Sequence, residues 1–146
     1  MRRIWTVVIV TAALISLSTA LANASGGKPK LQLHKTKVGT ILVDNHGYTV
    51  YAFAKDRRDK DVCIKIAACL TAWPPVKAGG VIAGHGVKAS LVGTIKLKNG
   101  TVQLTYAGHP LYTYAGDTQP AETEFVNLLQ FGGRWPALNA AGKEIK

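Results

Sequence analysis

Beyond its first two dozen residues the chain has no methionine, two cysteines and two serines. Each scarcity removes a class of chemistry. Without methionine there are no thioether ligands for an exported copper(I) carrier. Neither Ser25 nor Ser90 stands in a Gly-x-Ser-x-Gly context, so the nucleophile elbow of that serine-hydrolase class is missing. No Cys-x-x-Cys-His is present to attach a haem. After residue 21 no apolar run is long enough to span a bilayer, so no retained membrane span is expected.

The exception is the N-terminus. Arg2 and Arg3 precede an almost wholly apolar run, residues 4–21, and Ala22, Asn23 and Ala24 supply the small residues a signal peptidase reads. Residues 1–24 are therefore expected to be a cleaved signal peptide, which makes the protein secreted or periplasmic. A retained anchor is the alternative. No cysteine follows the run to carry a lipid, so no lipid anchor is expected.

Lys and Arg number 18 against 8 Asp and Glu, a formal charge of +10; two arginines leave with the leader, giving +8. A basic exported protein suits anionic partners, here envelope polymer or lipid head groups, with no sign of sequence-specific nucleic-acid recognition. The densest basic stretch, residues 28–37, contains Lys28, Lys30, Lys35 and Lys37. Residues 25–37 are expected to form a flexible basic arm that binds anions, ahead of a single domain over residues 38–146.

In an oxidising space Cys63 and Cys69 are expected to pair. Residues six apart on a straight helix rise by roughly 9 Å, whereas a disulfide wants Cα atoms within about 7 Å. A bond would therefore break any helix through "CIKIAAC". A metal site is the rival reading, though the spacing matches no common zinc pattern.

From Val38 onward the signals are mostly β. "TILVDNHGYTVYAF" reads as strand, turn, strand, with Val50 and Ala52 on one face and Thr49, Tyr51 and Phe53 on the other. Asn99-Gly100 between alternating segments predicts a type I′ hairpin. Residues 107–110 predict another turn and residues 111–115 a strand. "ETEFVNLLQ", residues 122–130, predicts one or two helical turns, and a last hairpin is expected around residues 139–142.

Sixty-one residues separate "YTVYAFAKD" from "HPLYTYAGD". Tyr51 aligns with Tyr112, Phe53 with Tyr114, Asp56 with Asp117 and Gly47 with Gly108; Trp73-Pro74 meets Trp135-Pro136 with one residue of slippage. Such a repeat implies one supersecondary unit used twice, each copy burying a face the other leaves open. The copies are expected at about residues 38–80 and 94–146. The fold class is mostly β, an antiparallel short-strand domain of two repeat copies with minor helix.

The same residues carry a resemblance. Tyr-x-aromatic-x-x-Asp, then a cysteine pair, "WPP" and "TYAGHPLYTYAGD", resembles the bacterial secreted-repeat family of unknown function, whose members are often predicted lipoproteins. The resemblance implies no catalytic residue and no cofactor. The chain departs from the family in its wider cysteine spacing, in residues 122–130 and in lacking a lipobox cysteine.

The repeat symmetry leaves several roles open. Asp56 and Asp117 could meet as an acid–base dyad of a hydrolase, although neither lies in an Asp-Ser/Thr-Gly loop. Capping a turn or accepting from tyrosine hydroxyls is the commoner role. His34, His46, His85 and His109, with the cysteines, could serve an exported redox or metal-handling protein, but no metal site is expected. Tyr51, Phe53, Trp73, Tyr112, Tyr114 and Trp135 could form a platform for sugars; ordinary core packing is the favoured reading. The leading expectation is a non-catalytic binding or structural module, with no cofactor.

Overall fold

The structure is a computed structural model that describes residues 30–146. The expected signal peptide and Lys28 lie outside the described residues. Among those described, no helix is long and apolar enough to cross a membrane.

Among the described residues three small sheets make up the fold. The first has the order β2-β1-β3: β1 (Lys30–Thr36) pairs antiparallel with β2 (Gly39–Val43) and parallel with β3 (Ile82–Ala83). The second has the order β4-β5-β6, from β4 (Val92–Lys96), β5 (Val102–Tyr106) and β6 (His109–Pro110), all antiparallel. The third is a hairpin of β7 (Leu128–Gln130) and β8 (Gly133–Trp135). Among the described residues helix is confined to α1 (Cys69–Ala72) and 3-10 turns at Cys63–Lys65 and Ala89–Leu91.

Over residues 30–36 β1 replaces the expected flexible arm, whose residues 25–29 lie outside the described ones. "KLQLHKT" carries its leucines two apart, so Leu31 and Leu33 face the core while Gln32 and His34 alternate with them. Leu31 is 1% exposed. The lysine count masked a strand whose apolar face the core requires.

The turns also differ from expectation in instructive ways. At Asn99-Gly100 only Gly100 has positive φ, and Leu97 donates to the Thr101 carbonyl across a three-residue loop. The two-residue turns with positive φ at both positions are Ala107-Gly108, between β5 and β6, and Phe131-Gly132, between β7 and β8. Residues 122–130 form no helix. Asn127 adopts positive φ, its amide donates to the Trp135 carbonyl, and the chain then enters β7. After Pro110 the chain makes single bridges at Tyr112, not a continuous strand over residues 111–115. The last hairpin forms as expected, with Leu138 bridging Glu144.

The two copies exchange their partners. Leu42 of β2 donates to the Leu138 carbonyl, and Leu104 of β5 donates to that of Val76. Ala52 donates to Pro136 and Thr113 to Pro74; Ala54 donates to Arg134 and Ala115 to Ala72. In every case the donor lies in one copy and the acceptor in the other. Each copy's Trp-Pro segment thus completes its neighbour's pairing, so the backbone bonds of neither are satisfied alone.

Between them the segments at 50–53 and 111–112 divide the core. Val50, Ala52 and Leu111 join Leu31, Leu42, Leu104 and Leu138 in one cluster. Tyr51, Phe53 and Tyr112 point the other way, into a cluster with both tryptophans and both cysteines. The alternation read from the sequence is the division between these clusters.

Candidate functional site

The repeated motif assembles around a pseudo-two-fold axis. Tyr51 and Tyr112 exchange backbone hydrogen bonds at 2.8 and 2.9 Å. Trp73 and Trp135 stack with centroids 3.9 Å apart and planes 4° from parallel. Each tryptophan then meets the edge of its own copy's tyrosine: Tyr51 against Trp73 at 5.1 Å and Tyr112 against Trp135 at 5.2 Å. Its outer face takes the other copy's aromatic, with Tyr114 on Trp73 and Phe53 on Trp135, both at 4.2 Å. Both indole N–H groups donate to a single residue, Trp73 to the Gln130 side-chain oxygen and Trp135 to the Gln130 carbonyl.

The hydroxyls follow the same exchange. Tyr112 donates to Asp56 Oδ2 at 2.7 Å, and Tyr51 donates to Asp117 at 3.2 Å from each carboxylate oxygen. The aspartates do not meet as a dyad. The charged neighbour of Asp56 is Asp61, and those of Asp117 are Glu122 and Glu124. Asp56 also accepts the Val62 amide, the turn-capping role expected of it.

Burial pushes both carboxyls up to about 7, chiefly through lost hydration, against the opposing pull of the tyrosine hydroxyls. The same burial raises both tyrosines, reinforced by the facing aspartates. The Tyr112 hydroxyl has two acids in reach, Asp56 and Asp61, and donates its hydrogen bond to Asp56. Asp61 Oδ1 accepts the Ile64 amide, while its Oδ2 is buried without a donor. Burial raises Asp61 as well.

Tyr51, Tyr112, Trp73 and Trp135 are fully buried, and Phe53 is 1% exposed. These five aromatics are therefore core and offer no open platform to a sugar; Tyr114, partly buried, covers Trp73 at the margin of the cluster. Cys63 and Cys69 form a disulfide with Cα atoms 5.5 Å apart, buried in the same cluster. As expected, "CIKIAAC" is broken: the 3-10 turn ends at Ile66, and Ala68 takes positive φ before α1 begins. The second copy has no cysteine, and Phe125, Leu128 and Phe131 pack against the cluster there.

The cationic residues are distributed differently from the expected arm. Lys37 pairs with Glu124 at 2.7 Å, Lys35 is exposed on β1, and Lys30 contributes its backbone to the pairing with β3. A denser group sits elsewhere. Lys60 and Lys65 from the loop before α1, with Lys96 and Lys98 at the end of β4, surround a cleft of about 360 Å³ walled by Ile64, Ile95 and Leu97. Sequence reading missed it because its two segments lie more than thirty residues apart. The "IKLK" alternation, which places Lys96 and Lys98 on one side of the strand, was its one local signal. Gln130 and Asp61 had none. Among the described residues no three His, Cys, Asp or Glu side chains gather as a metal site.

No curated protein and no solved structure matches the chain. A family described as a secreted repeat of unknown function matches it twice, over residues 33–77 and 93–139. Those spans begin in β1 and β4 and end beyond the two Trp-Pro segments, so each takes in one copy of the interlocked unit. The chain belongs to this secreted-repeat family.

Proposed function

We propose that this protein is an exported, non-catalytic binding or structural module of the cell envelope or extracellular space, which attaches to anionic envelope material. The observation that carries this reading is its uncommitted positive charge. Among the described residues, ion pairs engage Lys37, Arg58, Arg134 and His46. Lys60, Lys65, Lys77, Lys88, Lys96 and Lys98 are exposed and belong to none of those pairs.

The groups that could do chemistry are otherwise occupied. Each repeat aspartate is bonded to a buried tyrosine, and both cysteines are 0% exposed, which bars thiol–disulfide exchange without opening the core. This speaks against the hydrolase and redox alternatives. Export follows from the N-terminal leader read in the sequence and accords with membership of a family of secreted repeats. The reading is tested by binding to anionic vesicles and polymers at low and physiological ionic strength. Binding that weakens with salt is expected. No binding at low salt would remove the proposal.

A further inference from the structure

We infer that the cleft between the 59–65 loop and the end of β4 is a phosphate-binding site, taking phosphate groups displayed on an envelope polymer or on lipid heads. This rests on the reading above and names its site and ligand class.

Four lysines line one concavity. Lys60 and Lys65 approach from the first copy and Lys96 and Lys98 from the second, so only the assembled pair creates it. Two acids oppose them. Asp59 is ion-paired with Arg58, and Asp61 is buried, with one oxygen spent on the Ile64 amide. The cleft therefore keeps a positive surplus at its mouth, where low-dielectric walls concentrate the field.

The kind of cation selects the ligand. No guanidinium lines the cleft, so an anion there meets mobile ammonium groups in place of a rigid planar fork. Ammonium groups act as point charges and suit the tetrahedral phosphate, which offers oxygens in several directions. Ile64, Ile95 and Leu97 add an apolar wall for the carbon skeleton that bears the phosphate.

The test compares two charge-matched variants of the whole mature protein. One carries Lys60→Gln, Lys65→Gln, Lys96→Gln and Lys98→Gln. The other carries Lys35→Gln, Lys77→Gln, Lys88→Gln and Lys143→Gln, all exposed positions outside the cleft. Affinities at low ionic strength are measured for inorganic polyphosphate, phosphatidylglycerol vesicles and polygalacturonate, with thermal melts confirming that each variant folds. The cleft variant is expected to lose about tenfold or more on the phosphate probes, and the control less than about twofold. Polyphosphate without vesicles points to a polymer source and vesicles without polyphosphate to a lipid source; either supports the site. Equal losses in the two variants would overturn the cleft while leaving general anion binding intact. Tighter binding to polygalacturonate than to polyphosphate would overturn the ligand class. No binding to any probe would overturn both this inference and the function beneath it.

Discussion

Tyr112 donates a hydroxyl hydrogen bond to Asp56 at 2.7 Å, although the two residues belong to different copies of the repeat. The mirror contact, Tyr51 to Asp117, is longer, at 3.2 Å to both oxygens. The motif Tyr-x-aromatic-x-x-Asp thus specifies a bond between copies. Its function is to lock the copies together around the tryptophan stack.

The two contacts should differ in strength. Tyr112→Phe is expected to cost about 1.5–3 kcal/mol, because it removes the hydroxyl donor of Asp56 Oδ2 and leaves that oxygen unpaired in a buried setting. Tyr51→Phe should cost less, since its hydrogen bond is long and divided. Urea unfolding of both variants checks the order; an equal or reversed cost would show that the closer geometry is not the stronger bond.

Removing the rings should cost far more. Tyr51→Ala or Trp73→Ala takes a fully buried aromatic out of the central cluster, for an expected loss of about 3–5 kcal/mol. A loss below about 0.5 kcal/mol in the same denaturation experiment would mark a surface aromatic and return the sugar platform to consideration.

Acid should stabilise the fold over part of the pH range. Asp56 and Asp117 titrate at about 7 when folded, against an ordinary carboxylate value of 3.8. Between those values the folded protein holds more protons than the unfolded chain. The contribution is therefore full below about 4, is lost as pH rises through 7, and is flat beyond. The Tm should rise as pH is lowered from 8 to 5, and the Asp56→Asn/Asp117→Asn variant should show a flatter profile. A wild-type Tm that falls steadily over that interval would contradict the raised carboxyls.

The disulfide closes a short ring, so its effect should be modest. Under non-reducing conditions the mature chain should be two hydrogens lighter than its reduced form. Cys63→Ser/Cys69→Ser should lose about 2–2.5 kcal/mol in the chain-entropy view. Two alkylatable thiols in protein taken from the exported compartment would refute the bond.

Much of this architecture was legible in the sequence, because it rests on local periodicity. The 61-residue repeat, the division of Val50 and Ala52 from Tyr51 and Phe53, and the broken helix between the cysteines all follow from spacing alone. What escaped was either hidden by composition or non-local. Lysines concealed the leucine alternation of β1. Phe131-Gly132 adopted a turn geometry whose usual signal, Asn-Gly, lay elsewhere. Residues 122–130 had the apolar content of a helical turn, but Phe125 and Leu128 were needed against the aromatic cluster. An alignment of two copies equates Tyr51 with Tyr112. It is silent on whether each tyrosine bonds its own aspartate or the other's, and equally on which lysines meet across the fold.

The interlocked pair is the central claim, since both the aromatic core and the basic cleft depend on it. It is tested most directly by dividing the mature chain between Gly84 and His85, in the loop between the copies, and recording the near-ultraviolet circular dichroism of each piece. Each piece alone should lack the signal of ordered aromatics, because its Trp-Pro segment and its tyrosine have lost their partners. An equimolar mixture should regain the spectrum of the intact protein. A monomeric piece that displays a native-like aromatic spectrum by itself would contradict the account.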